Sequence, residues 1–173
     1  FSDPTIGVVG PLSNAASYQS VPALRVQTGK ESEDWSKNEL PPGPADDPWT
    51  PRGVATAVAR GSRRRLVDVP VLNGFCLFVK AEVVEAVGLM DEVAFPHGFG
   101  EENDFALRAL AAGYLLKVAD DVYVWHHKSK SYGDATRQAL SAGSAEAMRE
   151  RWGSMLRHAV GLLETNQELA EAR

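Results

Sequence analysis

Cysteine is almost absent: Cys76 stands alone among 173 residues. One thiol cannot close a disulfide within the chain, so packing must hold the fold together, which fits a reducing compartment. Within the apolar run Phe75-Cys76-Leu77-Phe78-Val79, this residue reads as a small packed hydrophobe. No apolar stretch approaches the ~20 residues that a membrane-spanning helix requires. No segment has the pattern of a secretory signal. Positive charge is also in short supply. The net charge of -5 is opposite in sign to the footprint of general nucleic-acid binders, so no nucleic-acid partner is expected. Arg63-Arg64-Arg65 is a local exception and reads as a solvated loop run rather than a phosphate site. No internal repeat is visible.

An apolar fraction of 44% and a charged fraction of 24% describe one globular domain with its own core. The chain opens on Phe1 rather than methionine, and is expected to be a piece of something longer. Ile6 to Pro11 reads as a short buried strand ended by glycine and proline, followed by a loop of small residues. From Gln27 to about Asp47 apolar residues are nearly missing, which suggests a mobile polar surface excursion. Thr50-Pro51 has the form of an N-cap with proline at the first helical position, and the helix should run to about Arg60.

Val67 to Val79 reads as extended, interrupted by Asn73-Gly74; Ala81 to Val87 reads as a helix closed by Gly88. A third helix is expected from Glu102 to Ala112. Two short strands should follow, Leu115–Ala119 and Val122–Trp125, around Asp120-Asp121. The remainder is expected to be helical from about Asp134, with a break at Gly143-Ser144. Strands alternating with helices argue an α/β layered domain. Residues 1–135 form its body and 136–173 a C-terminal helical extension.

The chemistry concentrates in Gly98-Phe99-Gly100-Glu101-Glu102-Asn103-Asp104 and in Val124-Trp125-His126-His127. Acidic side chains in a helix's first turn are favoured by the macrodipole, which alone accounts for Glu101, Glu102 and Asp104 as capping charges. Yet crowded carboxylates repel, so at least one should have a raised pKa unless a cation joins them. Such a group is a candidate general base; with a cation, the cluster is a candidate metal site. Gly98 and Gly100 leave backbone that another group can approach. Adjacent residues in an extended segment point to opposite faces, so at most one of His126 and His127 can face the acidic helix.

These pieces resemble the family 2 glycosyltransferases. Asn73-Gly74-Phe75-Cys76-Leu77, Val87-Gly88-Leu89-Met90-Asp91-Glu92, Phe95-Pro96-His97-Gly98-Phe99-Gly100-Glu101-Glu102-Asn103-Asp104 and Tyr123-Val124-Trp125-His126 occur in that family's order. The opening Val9-Gly10-Pro11-Leu12-Ser13-Asn14-Ala15-Ala16-Ser17 is similar to a rhamnosyltransferase-like bacterial subgroup. The resemblance runs from about residue 6 to 135. It implies a GT-A fold and inverting transfer of a sugar from a nucleotide-diphosphate donor to the hydroxyl of a glycan or lipid-linked acceptor. Glu102 matches the position of the family's catalytic base. Glu101 stands beside it and Asp104 two residues later, so Glu101 and Glu102 both remain candidates. The family's usual residue there is aspartate, and glutamate adds one methylene of reach.

The resemblance places His126 as a ligand to a divalent metal, Mn²⁺ or Mg²⁺. It sets Lys128 and Lys130 where the chain folds over the donor diphosphate, and Asn73 and Gly74 beside the acceptor. It also implies a cytoplasmic setting, peripheral to the inner membrane face.

The family's metal-binding Asp-x-Asp is missing from these 173 residues. The chain therefore reads as a partial GT-A sheet lacking the N-terminal nucleotide-binding half. It should be inactive alone, bind metal only in the complete domain, and tend to homo-oligomerise through the face left open. Two other readings remain. One is a non-catalytic interaction module with a transferase-like half fold. The other is a metal-dependent hydrolase using His97, Glu101, Glu102, Asp104 and His126.

Overall fold

Twelve segments follow one another in the order strand β1 (Ile6–Ser13), a 3₁₀ turn (Ser17–Gln19), β2 (Arg25–Gln27), β3 (Glu33–Trp35), helix α1 (Pro51–Gly61), β4 (Leu66–Val69), β5 (Phe78–Val79), α2 (Ala81–Val87), α3 (Glu101–Ala111), β6 (Leu115–Val124), α4 (Asp134–Thr165) and α5 (Gln167–Glu171). The computed structural model describes residues 2–23, 25–27, 33–35, 38–96, 98–127 and 134–173, with backbone alone for 25–27, 33–35 and 134–142. The fold is α/β. A four-stranded mixed sheet in the order β4-β6-β1-β5 is flanked by helices.

β1 is buried almost throughout because it lies inside the sheet, parallel to β6 on one side and antiparallel to β5 on the other. That placement explains its near-continuous apolar run. β4 pairs antiparallel with β6 and alternates strictly, with Val67 and Val69 buried and Leu66 and Asp68 exposed. Phe105 and Ala109 of α3, Val83 of α2 and Val54 of α1 pack with these strands in one core. Burying a valine or phenylalanine side chain contributes about 1.5–3 kcal/mol.

Local signals place the first three helices. Thr50 is the N-cap of α1: its Oγ1 accepts the Gly53 N–H at 3.1 Å and donates to the Pro44 carbonyl at 2.8 Å. Proline follows at the first helical position. Gly88 ends α2 with φ +78° and Gly113 follows α3 with φ +89°, both in the left-handed region that favours glycine.

Four expectations are revised. The two strands around Asp120-Asp121 are one ten-residue strand, β6. Opposite β1, Ala119 pairs with Pro11 and Tyr123 with Leu12, so residues 120–122 bulge out of the ladder instead of ending it. Val67 to Val79 is strand only at its two ends. Inside the polar stretch after Gln27, Glu33–Trp35 pairs antiparallel with Arg25–Gln27. Finally, α4 passes through Gly143-Ser144 unbroken. The Ser144 hydroxyl donates to the Gly98 carbonyl at 2.9 Å, so it fastens the helix to the 98–100 turn instead of capping a new one. Mid-helix glycine costs about 1 kcal/mol. Met148, packed with Phe95 and Leu107 in a second small core, offsets it. The C-terminal helices also complete the main core through Leu163 and Leu169.

Candidate functional site

The turn into α3 carries three consecutive positive φ angles: Gly98 at +83°, Phe99 at +68° and Gly100 at +154°. Glycine is favoured at both ends for that conformational reason. A Cβ on Gly100 would lie 3.0 Å from the Phe95 ring and 3.1 Å from Met148. Its bare face is therefore covered by core, and backbone approach by a ligand from that side is closed. A Cβ on Gly98 would instead face the Glu101 carboxylate at 3.4 Å.

The three carboxylates of this segment have separate environments. Glu101 turns back on its own helix start, where Oε2 accepts the Gly100 N–H at 3.0 Å. Glu102 runs beneath Gly74, where a Cβ would lie 2.9 Å from the Glu102 Cβ. Glycine at 74 is thus a packing requirement of the Glu102 side chain. The Glu102 Oε2 is buried with no hydrogen-bond partner. Burial first, and then the neighbouring charge of Glu101, raise its pKa above the ordinary value, against opposing backbone N–H groups of Glu102 and Gly100. Glu102 and Asn73 line a cleft of about 200 Å³ whose other walls include Tyr18, Leu72, Leu156 and Leu163.

Asp104, named with Glu101 and Glu102 among the catalytic candidates, is engaged within the protein. It is fully buried and points away into the protein. Its Oδ2 accepts from Arg108 Nε at 2.8 Å, and its Oδ1 from Arg151 Nη1 at 2.9 Å and Trp152 Nε1 at 2.8 Å. Desolvation pushes its pKa upward, but the hydrogen bonds of Trp152, Arg151 and Arg108 together outweigh it and hold the carboxyl below its ordinary value. Fully buried and holding three donors, Asp104 is closed to substrate or metal. It clamps α4 to the start of α3.

His126 lies just beyond β6, half-buried, while His127 is exposed, as opposite faces require. Asn14 fixes the His126 backbone from both sides: Asn14 Oδ1 accepts its N–H at 2.7 Å, and Asn14 Nδ2 donates to its carbonyl at 3.2 Å. Phe75 stacks on the imidazole at 5.1 Å between ring centroids. The ring Nδ1 lies 3.0 Å from the Ala15 carbonyl, an acceptor only, so Nδ1 carries the proton. In the neutral ring this leaves the Nε2 lone pair available, the tautomer that metal-ligating histidines use. His126 thus offers one nitrogen of the kind a divalent ion takes. Among the described residues no cluster of three or more His, Cys, Asp or Glu side chains could supply the full set.

Asn73-Gly74-Phe75 joins these parts, with Gly74 against Glu102 and Phe75 against His126. Gln19 pins this segment to β1. Its Oε1 accepts the Asn73 N–H at 2.7 Å and its Nε2 donates to the Pro11 carbonyl at 2.7 Å. The Asn73 side chain closes an Asx turn onto the Phe75 N–H at 3.3 Å. Gln19, Asn14, Arg151 and Trp152 escape sequence reasoning. Asn14 and Gln19 sit in a small-residue loop that reads as an ordinary turn, and nothing local marks Arg151 or Trp152. Lys128, Lys130 and His97 lie outside the described residues. No family model, curated protein or solved structure matches the chain.

Proposed function

We propose that these residues form the acceptor-side half of an inverting glycosyltransferase of the family 2 type, with Glu102 as the general base. The observation that carries the reading is the Glu102 carboxylate: buried, adjacent to a second carboxylate, with one unpartnered oxygen, on a residue that lines the cleft together with Asn73. Supporting it is the ordered set of sequence motifs around Glu102 and His126.

The chemistry follows from that placement. An acceptor hydroxyl seated against Glu102 donates its proton to the carboxylate as its oxygen attacks the anomeric carbon. The anomeric C–O bond to the nucleoside diphosphate breaks on the opposite face, which inverts the centre. A carboxylate with raised proton affinity suits this transfer better than an ordinary glutamate. Glu101 acts indirectly, through the charge that raises its neighbour's proton affinity. Apolar walls at Leu72, Leu156 and Leu163 suit the face of a sugar ring or the start of a lipid carrier.

Bound Mn²⁺ or Mg²⁺ would neutralise the departing diphosphate. His126 Nε2 would be one of its ligands. The nucleotide-sugar site and its Asp-x-Asp come from outside these 173 residues in this reading. A lipid-linked acceptor would place the reaction at the cytoplasmic membrane face. No helix among the described residues is long and apolar enough to cross a membrane.

The test is nucleoside diphosphate release from UDP-, GDP- and dTDP-sugars with Mn²⁺ or Mg²⁺, measured on a polypeptide joining these residues to an Asp-x-Asp half. Transfer should appear with at least one donor. Glu102→Gln should lower kcat by about 100-fold or more with donor KM held, and Glu101→Gln should lower it less. No turnover with any donor, or unchanged kcat in Glu102→Gln, overturns the reading.

A further inference from the structure

A second cleft of about 440 Å³ opens between α1 and α5, over β4 and β6, and shares no lining residue with the Glu102 cleft. Its volume falls within the range of small-molecule sites, about 300–1,000 Å³. Val54, Val58 and Val67 give it an apolar wall. Asp120 is its buried polar group, 4% exposed, with an Oδ1 that has no hydrogen-bond partner.

The bulge in β6 creates this arrangement. Residues 120–122 have no opposite number on β1, so Asp120 leaves the ladder next to the end of β4, its N–H reaching the Arg65 carbonyl at 3.4 Å. Bulges re-aim side chains in this way. Three arginines also line the cleft, and each contacts a group other than Asp120. Arg63 pairs with Glu171 at 3.0 Å, Arg65 lies 3.8 Å from Glu168, and Arg173 donates to the Tyr18 carbonyl at 3.1 Å. A buried acceptor oxygen left unpaired is costly, and a charged one more so. Here the residue that holds that oxygen lines a cleft walled by valines.

We propose that this cleft binds a small amphiphilic amine, its protonated nitrogen on Asp120 Oδ1 and its apolar body against Val54, Val58 and Val67. A charge-assisted N⁺–H···O⁻ bond satisfies the orphan oxygen, and the valines select an apolar body over a polar one. The site is independent of glycosyl transfer and of Glu102.

Benzylammonium is the probe, followed by ¹H–¹⁵N correlation spectra of the whole chain. Saturable shifts are expected at Val58, Val67 and Asp120. Benzoate has the same ring with opposite charge and should produce none. Asp120→Asn should weaken benzylammonium by about tenfold or more. Ala57→Trp places bulk on the cleft wall at an exposed helix position, so it should block binding while leaving Asp120 and the core intact. Should Asp120→Asn fail to fold, Ala57→Trp decides alone. Absence of saturable shifts, equal binding of benzoate, or wild-type affinity in either folded variant overturns the proposal.

Discussion

Replacing Asp104 with alanine removes the acceptor for three donors at once. Breaking a buried ionic pair from one side costs about 3–5 kcal/mol. The local geometry moves the expectation to the low end of that range. Arg108 is 21% exposed at its side chain and keeps the Val87 and Leu89 carbonyls. Arg151 is 39% exposed and keeps both bonds to Asp91 Oδ2 at 3.0 Å. Trp152 Nε1 alone is stranded, since Asp104 is the acceptor it uses. A stranded donor and a small void together argue a loss of about 3 kcal/mol. For a chain of this size that lowers Tm by about 6–12 °C.

The same clamp should be acid-labile. Because the folded pKa of Asp104 is depressed, its contribution is present above the unfolded carboxyl's pKa of about 3.9 and is lost as pH falls through the folded value. Asp104→Asn keeps the shape but removes that titration. Urea unfolding, followed by far-UV circular dichroism and tryptophan fluorescence at neutral pH and below pH 4, measures both effects. A loss under about 1 kcal/mol for Asp104→Ala, or equal acid sensitivity in wild type and Asp104→Asn, would refute the clamp.

Glu102 should behave in the opposite sense. Its folded pKa is raised, so its stabilising contribution is present below about pH 4.3 and is lost as pH rises through the folded value. Glu102→Gln should therefore be more stable than wild type at pH 8, with the gap closing toward pH 4 in denaturation midpoints; parallel curves would sink this. Gly74→Ala forces a Cβ to within 2.9 Å of the Glu102 Cβ, and overpacking of this kind costs about 1–3 kcal/mol. Glu102 resonances should shift most in carboxyl ¹³C spectra, and an unmoved Glu102 would show that the contact is not tight. Thr50→Ala removes the α1 cap and strands the Gly53 N–H, for an expected loss of about 1–2 kcal/mol by urea unfolding. A change within a few tenths of a kcal/mol would mean that the cap is replaced by water.

Much of the local structure was legible because its causes lie within a few residues. Thr50-Pro51 announces α1, Gly88 and Gly113 end α2 and α3, and the hydrophobic run after Ile6 marks a strand buried on both faces. The acidic start of α3 was also visible, together with the expectation that crowding would raise one carboxyl's pKa. Which carboxyl it is was not visible. Glu102 acquires its environment from Gly74, 28 positions earlier, and Asp104 loses its candidacy to Arg151 and Trp152, nearly fifty positions later. The bulge at Asp120 escaped because Asp120-Asp121 looks like a turn, whereas pairing with β1 resumes at Tyr123 and continues the strand beyond it. Gly143-Ser144 looks like a helix end for the same kind of reason, and packing of Met148 and the Ser144 bond to Gly98 override it.

The sequence by itself determined the fold class, the bounds of α1 to α3 and the stretch where acid chemistry gathers. Capping, left-handed glycine and hydrophobic periodicity are short-range physics, decided by backbone sterics and neighbouring side chains. Only the tertiary structure divided Glu101, Glu102 and Asp104 into a helix-capping, a cleft-lining and a clamping carboxylate, and set Asp120 in a cleft of its own. Burial and partner choice set a carboxylate's chemistry, and both depend on contacts between segments far apart in the chain.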